Sequence, residues 1–269
     1  MQQSDTFRKI NGNTLKVIAC ISMLIDHAAA GIIVPIARDG LLPDNINFST
    51  VEFIYNILRG VGRTAFPIFC FLLVEGFVHT KNRLRYTLSL FIFGFISEPF
   101  FDVTFYCRKD IYNINIFQVL QANRSILANH CNVYFTLFLG MLVMWAIHGS
   151  FTLVEKLHSN NIFAYLLSGM ATFLAAFIGQ KIECDYHWFG VVLIAIFYIF
   201  RFFEPINLVA GYLFLACFST EYLTFPAFIL LYFYSKKRGR RLGKLKYAFY
   251  AFYPVHILLI YVARCLIYG

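Results

Sequence analysis

The sequence predicts an all-α fold: a polytopic transmembrane helical bundle of about nine spans with its N-terminus cytoplasmic. Three observations predict it. Charged residues make up only 14% of the chain, where soluble domains carry roughly a quarter. Hydrophobic residues make up 59%, with 32 Phe and 17 Tyr and a mean hydropathy of +0.66, more apolar surface than water-facing folding hides. The basic residues gather between apolar stretches, in the pattern that orients membrane proteins. Composition does not change along the chain, so residues 1–269 read as one integral membrane domain.

The apolar stretches fall at 15–37, 58–79, 84–101, 133–150, 161–179, 187–203, 205–220, 222–235 and 247–267. The polar start, Met1 to Asn13, and the lack of a small-x-small cleavage pattern predict that the first stretch is retained as a helix. Arg8, Lys9 and Lys16 precede span one, and Lys81, Arg83 and Arg85 separate spans two and three. Lys236, Lys237, Arg238, Arg240, Arg241, Lys244 and Lys246 separate spans eight and nine. With nine crossings all three clusters fall on the cytoplasmic side, and the formal charge of +9 orients the bundle instead of signalling nucleic acid. From His187 to Tyr234 only Arg201, Glu204 and Glu221 interrupt the apolar run, which fits three short spans or a re-entrant arrangement. Loops 38–57, with Asp39, Asp44 and Glu52, and 102–132 fall outside, the second long enough to form a binding surface. None of the seven cysteines forms a CxxC pair, so no metal is expected; Cys107 and Cys131 flank one outside loop as a candidate pair.

Ionisable residues inside apolar spans are costly, which makes each a candidate functional group. Asp26 and His27 sit adjacent in span one. Lys16 precedes His27 by eleven positions, which on an ideal helix brings both to one face roughly 16 Å apart. A mid-membrane imidazole is suited to act as a general base toward a buried substrate. Asp26 projects to another face and predicts a basic partner on a second span, for which Arg63, entering span two from its outer end, is the candidate; Arg63 also suits a developing oxyanion. Pro67 predicts a kink and a freed carbonyl in span two, whose inner end carries Glu75. Pro99 is expected to stop span three after Glu98, with Asp102 just beyond. Asp185 belongs to an acidic and aromatic group, residues 183–190, that reads as an interfacial belt. Tyr253-Pro254-Val255-His256 places a second imidazole inside span nine.

These residues resemble the TraX family of bacterial membrane proteins. The likeness rests on Leu15-Lys16 through Met23-Leu24-Ile25-Asp26-His27, on Arg63 with Phe66-Pro67-Ile68 and Glu75-Gly76-Phe77, and on Ser97-Glu98-Pro99-Phe100-Phe101-Asp102. It continues through Asp185-Tyr186 with Gly190 to Phe252-Tyr253-Pro254 with His256, so it runs from the first span to the last. The family is associated with acetylation of the pilin N-terminal amine. It is also similar to the wider transmembrane acyltransferases, whose first helix carries a basic residue and a His at the spacing of Lys16 and His27, with Arg commoner at the first position.

The resemblance implies acetyl-CoA as acyl donor and the bacterial inner membrane as location. The acceptor is open among a pilin-like protein, a glycan and a small molecule. Catalysis then falls to His27, Asp26 and Arg63, and donor binding to Lys16, Arg83, Arg85 and His256. Glu75, Glu98, Asp102, Asp185 and Tyr253 support substrate or structure. A proton-coupled transporter or flippase, or a non-catalytic scaffold, would use the same buried charges; the absence of internal repeats argues against the transporter.

Overall fold

The computed structural model describes residues 7–43, 45–125, 127, 130–240, 243 and 246–268. Asp44, Arg241 and Lys244 of the predicted loops lie outside the described residues. The first helix runs as α1 (Gly12–Ala28), a π-helical turn (Ala29–Ile33) and α2 (Val34–Arg38); α3 (Phe48–Gly62) leads into α4 (Ala65–His79). α5 (Arg83–Phe101) continues as a second π-helical turn (Asp102–Tyr106), followed by α6 (Ile116–Ala122). α7 (Val133–Lys156), α8 (Asn161–Lys181), α9 (His187–Ile199) and α10 (Ile206–Ala216) come next. A 3₁₀ turn (Ser219–Thr224), α11 (Phe225–Tyr232) and α12 (Lys246–Tyr268) complete the order.

Each of the nine predicted spans forms a helix, and among the described residues six are long and apolar enough to cross a membrane. α9, α10 and α11 are shorter, as the uncertain stretch after His187 foreshadows. α8 shows which surface meets lipid: Phe163, Tyr165, Leu166, Met170, Phe173, Leu174 and Phe177 are each 51–74% exposed. Asparagine starts the helices repeatedly. Asn11, Asn47, Asn115, Asn132 and Asn160 accept orphan N–H groups of α1, α3, α6, α7 and α8. A neutral side-chain oxygen does this without placing a charge at the membrane boundary.

The described residues group into two compact units. The first holds residues 1–69, 97–128 and 216–269, with α1 packed on α3 and α12. The second holds residues 70–96 and 129–215, with α7, α8 and α9 packed on one another. Glu75, Arg83, Arg85 and Asp185 belong to this second unit.

Pro99 does not stop its helix: α5 runs through it to Phe101 and on into the π turn. In lipid an interrupted helix strands backbone polar groups, so the chain tolerates one missing N–H and defers its exit to the wider turn. That exit leaves carbonyls to be satisfied. The Cys107 N–H bonds back to Asp102 O at 2.9 Å and the Arg108 N–H goes to Asn123 Oδ1 at 2.9 Å, so neither reaches Val103 or Thr104. In the first helix Pro35 has no N–H to offer Gly31 O, four residues back. Arg264, 1% exposed on α12, supplies all three. Its Nη1 donates to Gly31 O at 3.0 Å and Thr104 O at 2.8 Å, and its Nη2 to Val103 O at 2.8 Å.

Candidate active site

Asp26 and His27 lie near the middle of the helix that runs from Gly12 to Arg38, and the side chains around them come from the same unit. His27 Nδ1 is 2.7 Å from His256 Nε2, the two rings lying 8° from parallel. His256 Nδ1 is 2.6 Å from the carbonyl oxygen of Phe252, one turn back on α12. A carbonyl only accepts, so His256 Nδ1 carries a hydrogen and, in neutral His256, Nε2 offers its lone pair. His27 must then donate from Nδ1, which leaves Nε2 of neutral His27 as a bare lone pair. Phe105 at 5.2 Å and Tyr253 at 5.8 Å, centroid to centroid, wall the His27 ring edge-on, and Phe252 stacks on His256 at 4.6 Å. His256 is 3% and Tyr253 2% exposed, while His27 is half-buried.

Asp26 finds a cation on a second helix, as expected, but the cation is Arg59: Arg59 Nη1 lies 2.5 Å from Asp26 Oδ2. Arg63 instead pairs with Glu221, Nη1 to Oε1 at 2.6 Å. The helix starts at Phe48, ten residues before the apolar run, which puts both arginines near its mid-length. Asp26 and Glu221 each interact electrostatically with both arginines, so two acids and two bases form one network, with Glu221 buried and the other three half-buried. Arg59 also acts on His27 through space.

The Pro67 effect is visible one turn upstream, where α3 ends at Gly62 and α4 begins at Ala65. The proline ring displaces the Arg63 carbonyl, and the chain tightens there, with Thr64 N–H bonding Val61 O at 3.2 Å. The Thr64 hydroxyl meets Ser22 Oγ of α1 at 2.9 Å. Gly62 lets the two helices touch, since a Cβ there would lie 2.2 Å from Asp26 Oδ1. Gly62→Ala is therefore expected to destabilise by about 1–3 kcal/mol and to pull Asp26 off Arg59. Unfolding in detergent measures the first effect; activity lost beyond the unfolded fraction measures the second.

At one end of this unit the basic loop folds back on the first helix. Gly12 N–H donates to Lys237 O at 2.9 Å, Asn13 N–H to Arg238 O at 3.1 Å, and Asn13 Nδ2 to Arg240 O at 2.8 Å. Gly239 carries a φ of +87°, and a Cβ there would meet Asn11 Oδ1 at 2.6 Å, so this closure requires glycine. Lys16, its Nζ 5.5 Å above Phe249, thus shares an end of the unit with Lys237, Arg238 and Arg240.

Of the other predicted residues, Glu98 and buried Asp102 stand one turn apart, Asp102 opening the π turn that carries Phe105. In the second unit Arg83 lies over the Phe77 ring at 4.3 Å, its Nε donating to Phe77 O at 3.3 Å. Arg85 is exposed and its backbone N–H is capped by Asn82 at 2.8 Å. Glu75 is half-buried on α4, its carbonyl 2.9 Å from His79 Nδ1. Asp185 lies between α8 and α9, its backbone held by Cys131 O at 2.8 Å and by the Thr136 hydroxyl. Sequence reasoning missed Arg59 and Glu221 as parts of the site. The i, i+4 spacing of Arg59 and Arg63 on one helix face was the available signal.

Comparison with known proteins gives one family: the model described as TraX protein matches residues 11–264. The chain is 29% identical over 268 residues to the probable fimbrial assembly protein FimC, serogroup H1, of Dichelobacter nodosus, covering 93% of this chain and 94% of that protein. No solved structure matches.

Proposed function

The chain belongs to the TraX family, and from that premise we propose that it is a membrane-embedded acyltransferase of the inner membrane, moving an acetyl group from acetyl-CoA to an acceptor amine or hydroxyl. The observation that carries this reading is the Phe252–His256–His27 relay, which leaves an unprotonated Nε2 on a half-buried imidazole in the middle of a spanning helix. A pilin-like protein is the acceptor favoured by the fimbrial assembly protein it is similar to.

The residues fit the donor. Lys16, Lys237, Arg238 and Arg240 gather positive charge at one end of the unit, suited to phosphates. His27 lies eleven residues further along the helix, roughly 16 Å, on the scale of an extended pantetheine arm. His27 Nε2 takes the proton of the attacking amine or hydroxyl as the new acyl bond forms. His256 Nε2 accepts from the resulting imidazolium, and the Phe252 carbonyl fixes the His256 ring. As the carbon–sulfur bond breaks, His27 returns the proton to the departing thiolate. Arg59 replaces Arg63 as the donor to the oxyanion: it pairs with Asp26, the residue next to His27, whereas Arg63 pairs with Glu221.

The test is acetyl-CoA binding and slow hydrolysis by the purified protein in detergent. Hydrolysis supports the enzyme; a folded protein that binds no acetyl-CoA sinks it, and proton flux without acyl transfer favours a transporter built on the buried charge network. Lys16→Ala is expected to raise KM for acetyl-CoA about tenfold or more, the worth of one charge-assisted hydrogen bond, with kcat little changed. A fall in kcat alone would remove Lys16 from donor binding.

A further inference from the structure

We infer that Cys131 and Cys184 form a disulfide that staples the entrance of α7 to the loop between α8 and α9. The two residues are partners in an isolated parallel β-bridge. Cys131 N–H donates to Glu183 O at 3.4 Å, and Asp185 N–H to Cys131 O at 2.8 Å. Bridge partners across parallel backbones stand about 4.8 Å apart with their side chains on the same side. That separation lies inside the roughly 4.4–6.8 Å between Cα atoms that a disulfide spans. No other cysteine pair in the chain is joined by a backbone bridge among the described residues.

The surroundings give the bond something to hold. Glu183, Tyr186 and His187 have φ of 44°, 64° and 41°, a left-handed backbone that non-glycine residues adopt only when neighbours enforce it. His130 Nδ1 pairs with Glu183 Oε2 at 3.0 Å, and the Thr136 hydroxyl donates to Asp185 O, so the segments before α7 and after α8 are already tied on both sides of the cysteines. α7 and α8 form an antiparallel hairpin, which brings the two cysteines to one end of it. The basic clusters predict that this end faces away from the cytoplasm, where thiols are oxidised.

The two thiols have unequal roles in forming the bond. Cys131 is half-buried and accessible, whereas Cys184 is fully buried, and burial pushes its thiol up to about 11. The Cys131 thiolate therefore attacks first, on the disulfide of a thiol–disulfide oxidase, releasing one thiol of that oxidase. The Cys184 sulfur then attacks the Cys131 sulfur of the mixed disulfide and releases the second. Two thiols of this chain are oxidised and one disulfide of the oxidase is reduced, with the two protons leaving on its thiols. The candidate pairing of Cys107 with Cys131 is set aside, because Cys107 is buried in its own cluster with Ile111, Val119, Tyr261 and Cys265.

The test counts thiols in the full chain. Cells expressing it are lysed directly into acid, which quenches thiol exchange, and the protein is then denatured and labelled with a maleimide of high mass, with and without prior reduction. Five of the seven cysteines are expected to label without reductant and all seven after it. Cys131→Ser and Cys184→Ser are each expected to label on six with or without reductant. Seven labels in the unreduced native chain would overturn the inference, and so would a mapped peptide joining Cys131 to Cys107. Since the native count needs no variant, a Ser variant that fails to fold leaves the inference testable, and the result is independent of whether the chain transfers acyl groups.

Discussion

Alanine at His27 is expected to lower acetyl transfer by about 10²–10⁴-fold, the range over which a positioned general base acts, while acetyl-CoA still binds. The expectation follows from the bare Nε2 and from the distance between His27 and the basic end of the unit. His256 makes a sharper test, because it touches no reacting atom and acts through His27. His256→Phe keeps a ring on Phe252 but offers His27 no lone pair, so kcat is expected to fall with KM unchanged. His256→Gln restores an acceptor oxygen and is expected to recover part of the loss. The variant with both His27→Ala and His256→Phe should be no slower than His27→Ala alone, since the two residues form one unit. Additive losses would mean that His256 serves packing only, and full activity in His27→Ala would end the general-base reading.

The second large effect concerns stability. Removing one charge of a buried pair leaves the other uncompensated, at a cost of about 3–5 kcal/mol. Glu221 is 6% and Arg63 23% exposed at the side chain, so Glu221→Leu and Arg63→Met are each expected to destabilise in that range. The double variant, apolar at both positions, should recover most of the loss. Asp26 and Arg59, 16% and 27% exposed, should behave alike, with loss of activity added. Thermal unfolding in one detergent at fixed lipid content measures all six proteins. A double variant as unstable as the sum of its singles would show that the charges are not coupled.

Much of the fold is legible in the sequence because lipid imposes one rule, that every backbone polar group find a partner within the chain. Apolar length then located a helix at each of the nine predicted stretches, and the histidines inside two of them stood out by the cost of a polar group among apolar ones. The errors have a common physical origin. Apolar length marks where lipid is and says little about where a helix ends. The second helix starts at Phe48, not near 58, ahead of the apolar run that marks the span, and this brings Arg59 onto the same helix as Arg63. Pro99 was read as a stop because the rule for water was applied where an open backbone costs more than a missing N–H. The meeting of His27 with His256 was not legible at all, since a separation of 229 residues carries no local signal.

Arg264 gives the bundle an order in time. The carbonyls of Gly31, Val103 and Thr104 are made before the side chain that satisfies them, which lies on α12. Until α12 packs, those three carbonyls lack the Arg264 guanidinium, and His27 lacks His256. The same helix thus completes the scaffold and the histidine pair together, so a change that loosens α12 is expected to disturb both at once.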